Sequence, residues 1–459
     1  MKKKKAPLGR RMKEFVKTSV VWGPLDHNLF FTIIFLNVYG IIMVYSASYN
    51  NSITKNYSYF MNNQLKNVIF GFVIMIVASY VNYHRIVRLG WGWFWLLAAV
   101  AIIAALKTPL AHSELGATRW IKLGPVSFQA AEPIKAAIII FFAYYVSYWG
   151  LNRWYNQLLA CLLAIALLGF LFFFSNNLST VIVLFCICAV IILSSVKKPD
   201  LYWYFLLGLA LIIIAAIFVT VYLLMHQGAE NFRFVRIRAW LHPEEYAADE
   251  GLQAMQARYA IGAGGFWGKG LGQSLIKFKL SYSYNDFILA IICEELGVFG
   301  VIVMMTLFGY LLYRIYKIAQ NAWDIEGKVL AIGVFTQIAL QLLINVMVVT
   351  SVIPTTGVTL PFFSAGGTSV VFLLAEERDI IQKAGWKEWD ILRGILSKYV
   401  LGGRTKGNLW SEAVSEQQDG DVVLIRQERA DKNLFPIKKV PGGQTLALFC
   451  MYYTRSAIV

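Results

Sequence analysis

Residues 262–297 read GAGGFWGKGLGQSLIKFKLSYSYNDFILAIICEELG. The stretch opens as a glycine-broken polar loop and closes as the start of a long apolar run, with one acid, Asp286, near the changeover. Such a change marks a chain re-entering a membrane from a large polar loop. A later segment, PTTGVTLPFFSAGGTS (354–369), has the same glycine- and proline-broken character. A carboxylate at a membrane boundary beside a polar loop suits chemistry on a lipid-linked substrate.

The rest of the chain supports the membrane reading. Of its 459 residues, 58% are hydrophobic and 15% charged, against roughly 25% charged in an average soluble domain. Apolar runs recur over the first 375 residues, many near the roughly 20 residues that span a bilayer as helix. A soluble protein would have to bury all of these helices in one core, which surface-to-volume scaling disfavours. We expect spans at about 29–46, 67–82, 92–107, 129–149, 156–174, 178–195, 202–225, 286–312, 329–353 and 361–376. They are expected to be helical, since lipid offers no partner for free backbone groups and barrel strands are shorter and alternate. The expected fold class is therefore an all-α polytopic membrane protein of about ten transmembrane helices. A large extracytoplasmic loop, 226–285, separates helices 7 and 8. A basic cytoplasmic N-terminus (1–28) precedes the membrane domain (29–376). A polar, mixed-charge tail (377–459), largely disordered, follows it.

Lysine and arginine place the short loops. Lys2–Lys5, Arg10, Arg11, Lys13 and Lys17 crowd the N-terminus. The loops with Arg85 and Arg88, with Arg153, with Lys197 and Lys198, and with Arg314, Lys317 and Lys328 fall on the same side, so both termini are expected in the cytoplasm. Ser46-Ala47-Ser48 resembles a signal-peptidase site, but the apolar run before it is long for an h-region, which favours an uncleaved anchor. The net charge of +16 then reflects an anionic membrane surface rather than nucleic acid, for which no module is present. The five cysteines, Cys161, Cys186, Cys188, Cys293 and Cys450, fall mostly in apolar spans without a CxxC and read as packing residues.

Ionisable groups near the bilayer are costly and so draw attention. Glu132 and Lys135 share one face at the outer start of the fourth span by their i,i+3 spacing. Asp286 stands at the same level at the start of the eighth. It reads either as a general base that takes a proton from a sugar hydroxyl or as a helix N-cap. Lys135 either pairs structurally with Glu132 or offsets charge at the site. Arg233, Arg236 and Arg238 lie among aromatics in NFRFVRIRAW, and are either interfacial anchors or forked donors to pyrophosphate oxygens. Glu294 and Glu295, about two turns beyond Asp286, suggest that one faces a polar interior. His226 and His242 have no spacing that suggests a metal site.

The glycines of the loop, among them Gly264, Gly265, Gly270 and Gly272, permit tight turns and close approach to a ligand, or serve only as flexible filler. No GK[ST] follows, so this is not a Walker motif. Pro354, Gly357, Pro361, Gly366 and Gly367, with Ser364, break the helical pattern before the last span. Non-helical backbone at that depth survives only when buried in protein or lining a polar cavity. Carriers use the same device.

VYSAS (44–48), TRWIKLGPVSFQAAEPIK (118–135), GLQAMQARYAIGAGGFWGKGLGQSLIK (251–277), NDFILAIICEELG (285–297) and PTTGVTLPFFSAGGTS (354–369) follow one another as the motifs of a known family do. Over residues 25–385 the chain resembles the shape, elongation, division and sporulation (SEDS) family, typified by FtsW, RodA and SpoVE. Its GLGQS-IK and LP-TG-TLPF patterns look more like FtsW or SpoVE than RodA. The resemblance implies a ten-span peptidoglycan glycosyltransferase that polymerises lipid II on the outer membrane face, by inverting transfer with loss of undecaprenyl pyrophosphate. It implies a class B penicillin-binding transpeptidase as partner, with other division or elongation proteins. It implies no organic cofactor and admits a divalent cation, magnesium or manganese.

In that family the acid at Asp286 is the proposed catalytic residue, and Glu132 and Lys135 match a motif Glu and Lys. Lys277, from the GLGQS-IK pattern, joins them and the three arginines as a candidate for substrate binding. The chain departs from the family where LPE-x-H-TDF reads LSYSYNDF, with Ser281, Tyr282, Tyr284 and Asn285 in place of the usual Pro, Glu, His and Thr. Ser175-Asn176-Asn177 lacks the acid of a QPD-like stretch, and SYGG has become Ser364-Ala365-Gly366-Gly367. Two other readings stay open. A carrier for a lipid-linked precursor would place its site at the midplane within inverted repeats. A non-catalytic division scaffold would keep its phenotypes without Asp286.

Overall fold

The computed structural model describes residues 26–48, 59–79, 83–88, 92–109, 111–114, 117–123, 126–175, 177–196, 232–246, 250–278, 280, 283–322, 324–364 and 369–376. All belong to the first of two compact units, Met1–Lys387. The second unit, Glu388–Val459, the expected span at 202–225 and the rest of the expected tail lie outside the described residues.

The helices run α1 (His27–Ser48), α2 (Tyr59–Ser79), α3 (Tyr83–Val87), α4 (Trp93–Ala105), α5 (Ala131–Trp149), α6 (Trp154–Ser175) and α7 (Leu178–Ser195). Then come α8 (Phe232–Leu241), α9 (Glu250–Gly264), α10 (Ile288–Gln320) and α11 (Ile325–Val349), and a short α12 over 369–376. Six of these, α1, α2, α6, α7, α10 and α11, are long and apolar enough to cross a membrane, and α4 is a shorter apolar helix. Phe35, Phe70, Leu162 and Phe299 turn outward from them, as suits helices whose solvent is lipid.

Two expected spans need correction, and the stretch between the expected spans 92–107 and 129–149 has regular structure of its own. It folds as an antiparallel sheet in the order β1-β2-β3, from β1 (Ala111–Glu114), β2 (Ala117–Leu123) and β3 (Val126–Gln129). Trp120 and Ile121 in TRWIKL are strand formers, and β3 closes on β2 with Leu123 opposite Val126. The second expected span, 67–82, begins earlier, at Tyr59, with one polar side chain of its first turns, Gln64, facing inward. Gln64 is buried and donates to the Ser364 carbonyl at 3.4 Å. The last expected span, 361–376, is helical only over 369–376 among the described residues, and Phe362 takes a left-handed φ of 64° in the turn before it.

Two hydrophobic clusters form the core. One gathers α1, α2, α9, α10 and most of α11 with Leu360, Phe362 and Phe363; the other gathers α3 to α7 with Ile121, Val329 and Leu330. α11 therefore belongs to both, with Val329 and Leu330 near its start in the second cluster and Val348 and Val349 at its end in the first. Its near end is pinned by Asp324, which caps it by accepting from Gly327 N at 2.9 Å. Glu326 there accepts from Arg88 at 2.8 Å and Ser147 at 3.1 Å, and meets His84 Nδ1 at 2.5 Å, so α3, α5 and α11 share one knot.

The glycine-rich loop has a structural explanation. α10 is interrupted at Gly297, whose φ of 64° and ψ of −162° free the neighbouring backbone. Lys269 N and Gly270 N donate to the carbonyls of Glu294 and Glu295, each at 2.9 Å. Val298 N and Phe299 N donate back to Gly265 and Phe266, each at 3.1 Å. A Cβ on Gly264 or Gly268 would overlap the carbonyls of Cys293 or Glu295, so side chains are excluded where main chain meets main chain.

Candidate active site

Three segments far apart in sequence meet between the two core clusters. β2 brings Arg119, the turn 283–287 ahead of α10 brings Asp286, and the broken segment after α11 brings Gly357. Gly357 adopts φ +68°, and a Cβ on it would stand 2.8 Å from Arg119 Nη1 and 3.2 Å from Asp286 Oδ2. The guanidinium and the carboxylate therefore flank one glycine. They do not close on each other: the ion pairs among the described residues all lie elsewhere.

The turn is held by its main chain. Asn345, on the last turns of α11, donates from Nδ2 to the carbonyls of Asp286 and Val358, each at 2.9 Å. Ser364 Oγ donates to the Asn285 carbonyl at 2.8 Å and accepts from Leu360 N at 2.7 Å. Ser179 Oγ donates to the Thr356 carbonyl at 3.1 Å, and Trp240 Nε1, from α8, to the Ser351 carbonyl at 2.9 Å. The broken segment is thus tied to α7, α8, α11 and the Asp286 turn at once. Broken backbone persists here because protein supplies its partners.

Asp286 does not cap a helix. Phe287 holds the cap position of α10, and no side chain caps it. That removes the structural alternative for Asp286 and leaves its carboxylate uncommitted to the helix end. Loss of water about Asp286 on burial pushes its carboxyl above the usual carboxylate range, while Arg119 and then Arg236 pull it back. Four buried polar atoms on or next to the residues that meet here find no partner: Arg119 Nε, Asn285 Oδ1, Asn345 Oδ1 and Thr356 Oγ1. Buried polar atoms are rarely left so, and here they mark a place that a polar ligand would complete.

The other sequence candidates sort by position. Lys135 and Glu132 are both buried and pair at 2.9 Å. Glu132 also borders a small cavity with Gln341, Thr359, Pro361, Ser364 and Ser369, so it meets the broken segment further along than Asp286 does. Arg236 and Arg238 are partly buried on α8. Arg233 lies on the same helix, with its side chain outside the described residues. Pro354 and Pro361 bracket the Gly357 turn, whereas Gly366 and Gly367 lie outside the described residues.

Lys277 is placed differently from its expected role. It is buried, donates to the Gly272 carbonyl at 2.7 Å and stands 3.5 Å from Glu295. Both Glu294 and Glu295 face inward. Glu294 takes Lys269 at 2.8 Å, Ser274 Oγ, and the amides of Leu275 and Ile276 at 3.2 and 3.3 Å; Glu295 takes Ser46 Oγ at 2.5 Å. Lys277 thus belongs to the network that folds the loop. Gly265, Gly270 and Gly272 supply its left-handed turns. Arg119 and Asn345 were not singled out from sequence. An arginine among apolar residues just ahead of the fourth expected span, in TRWIKL, was the available signal for the first.

Comparison with known proteins accords with this arrangement. A family model described as cell cycle protein, covering FtsW, RodA and SpoVE, matches residues 26–381. A protein of Trichlorobacter lovleyi named as a probable peptidoglycan glycosyltransferase FtsW is 31% identical over 79% of this chain and 94% of its own. Stage V sporulation protein E of Bacillus subtilis is 33% identical over 75% of this chain and 92% of its own. Among solved structures, a chain from work on structural coordination of polymerization and crosslinking by a peptidoglycan synthase complex superposes with a TM-score of 0.65 at 21% identity, over 79% of this chain and 98% of that one. The rod shape determining protein RodA of Thermus thermophilus superposes with a TM-score of 0.57 at 21% identity, over 79% of this chain and 97% of that one. With three quarters of its length matched by the family model and by relatives above 30% identity, the chain belongs to the FtsW/RodA/SpoVE family of cell cycle proteins.

Proposed function

We propose that this chain is a peptidoglycan glycosyltransferase that joins lipid II units into glycan strands. The observation that carries the reading is the meeting of Asp286 with Arg119 and Gly357, an acid and a cation from separate motifs about one open turn. The names of the relatives support the same reaction class. In the step we infer, Asp286 takes the proton of the acceptor's 4-hydroxyl as that oxygen bonds C1 of the donor's terminal MurNAc. The C1–oxygen bond to undecaprenyl pyrophosphate breaks, and its electron pair leaves with the phosphate. Attack opposite the leaving group inverts C1. A raised carboxyl pKa suits the role, since a base works best near the operating pH.

The positive-inside pattern puts both termini in the cytoplasm and the Asp286 turn at the outer face, where the substrate is presented. A class B penicillin-binding transpeptidase is the proposed partner, supported by the polymerization and crosslinking complex among the fold neighbours. Other division or elongation proteins would join it. No organic cofactor is needed for the step. The residues about Asp286 do not fit a protein-held divalent cation: its charged neighbours are two guanidinium groups, so no step is routed through magnesium or manganese.

Purified protein, with and without its transpeptidase, given lipid II, should make glycan polymer on a gel. The Asp286→Ala variant should fold and make none. Full polymerisation by that variant would sink the assignment.

A further inference from the structure

We propose that Arg119 receives the pyrophosphate of the lipid-linked donor, and that Gly357 lacks a side chain so that the anion and the acceptor hydroxyl can enter between Arg119 and Asp286. This deepens the glycosyltransferase reading and rests on it. The argument is geometric. Arg119 Nη1 and Asp286 Oδ2 both border the space a Gly357 Cβ would fill. A guanidinium so close to a carboxylate ordinarily closes a bidentate pair. Here it does not, and Arg119 Nε is buried without a partner. Nη1, the nitrogen that borders Gly357, shares the end edge of the guanidinium with Nη2, and that edge takes two oxygens of a phosphate.

The neighbouring cations are less suited. Lys135 is tied to Glu132 at 2.9 Å and Lys277 to Glu295 and the Gly272 carbonyl. The groups facing Asp286 are Arg119 from β2 and Arg236 from α8. The broken segment, TTGVTLPFFS over 355–364, and Asn345 bring no titratable side chain. Thr356 Oγ1, also buried and unpartnered, adds a hydroxyl beside the same turn.

The role in the step follows. As the C1–oxygen bond breaks, the charge that develops on the departing phosphate falls on Arg119. The proton from the acceptor hydroxyl moves the other way, to Asp286. The electron pair of the broken bond stays on the departing oxygen beside Arg119 and the proton passes to Asp286, so no oxidant or further reactant is required.

Binding to the full chain in nanodiscs tests this without turnover. With Asp286→Ala as the background, undecaprenyl pyrophosphate and undecaprenol are titrated against protein with Arg119 intact, Arg119→Gln or Arg119→Lys. We expect diphosphate affinity to fall about tenfold or more with Gln, less with Lys, and undecaprenol binding to stay unchanged. Unchanged diphosphate affinity, or an equal loss for undecaprenol, overturns the proposal. If Arg119→Gln melts below the working temperature, Arg119→Lys decides alone, since it keeps the charge and loses the fork; full affinity there overturns the proposal. In protein with Asp286 present, Arg119→Gln should also move the acidic limb of the turnover profile to higher pH, because the cation that pulls the Asp286 carboxyl down is gone. Polymer from Asp286→Ala would sink the parent reading and leave the binding result standing.

Discussion

The side-chain amide of Asn345 hydrogen-bonds the main-chain carbonyl of Asp286 at 2.9 Å, and its second hydrogen takes the carbonyl of Val358 at 2.9 Å. One buried amide on α11 thereby fixes both walls of the turn in which the candidate base sits. Replacing it with leucine keeps the volume and strands two carbonyls. Each buried group left unmet costs about 1–3 kcal/mol. Asn345→Leu should therefore lower the melting temperature and reduce lipid II polymerisation by about tenfold or more, with Asp286 itself untouched. A thermal melt run beside the gel assay reads both; unchanged turnover would show that the clamp does not position the acid.

The Asp286 carboxyl is held above its ordinary range by desolvation, against the pull of Arg119 and Arg236. A carboxyl whose folded pKa is raised favours the fold while protonated. That contribution is fully present below the unfolded pKa and is lost as pH rises through the folded pKa. Ionised Asp286 is thus a strained group at neutral pH, and Asp286→Asn should melt no lower than wild type there while making no polymer. The advantage of the Asn variant should vanish in acid. A wild-type turnover profile should fall on the acidic side at a pH above that of an ordinary aspartate. A limb at or below the ordinary value would contradict the surroundings seen here.

Lys277 distinguishes a loop strut from a ligand-binding lysine. Its ammonium is buried against Glu295 and the Gly272 carbonyl, and removing one partner of a buried pair costs about 3–5 kcal/mol. Lys277→Met should lower the melting temperature sharply and loosen residues 265–278 to proteolysis. The affinity of the folded fraction for lipid II should be unaltered. A selective loss of affinity at an unchanged melting temperature would return Lys277 to the substrate.

What the sequence revealed here has a physical boundary. The apolar runs announced α1, α6, α7, α10 and α11 because hydropathy over about 20 residues is a local property. Asp286 stood out for the same reason, as an acid where acids are costly. The Glu132–Lys135 pair could be read from i,i+3 spacing alone. Nothing local links Arg119 to Gly357. Their meeting depends on a sheet whose strand TRWIKL looked like loop, and on a turn whose φ is set by the packing around it. The Ser46–Glu295 bond is similar: it joins residues 249 apart, and from sequence only one of the two glutamates was expected to face inward. Hydrophobic periodicity shows which face is buried, but not which polar groups meet there.

Gly357 offers the sharpest test, because it perturbs the site without removing a charged group. Its φ of +68° already disfavours any L side chain, a strain of about 1–2 kcal/mol. More decisive is the space. A methyl there would sit 2.8 Å from Arg119 Nη1 and 3.2 Å from Asp286 Oδ2, closer than carbon tolerates at the first. The guanidinium must yield by a few tenths of an ångström, and the opening between base and cation is filled. Gly357→Ala should therefore melt only a few degrees below wild type yet lose polymerisation almost as fully as Asp286→Ala. Arg119→Lys, added to Gly357→Ala, thins the side chain at the clash and should recover part of the lost stability but little of the turnover, since the methyl still occupies the opening. Near-normal turnover by Gly357→Ala would mean that the reacting groups do not pass between these two residues.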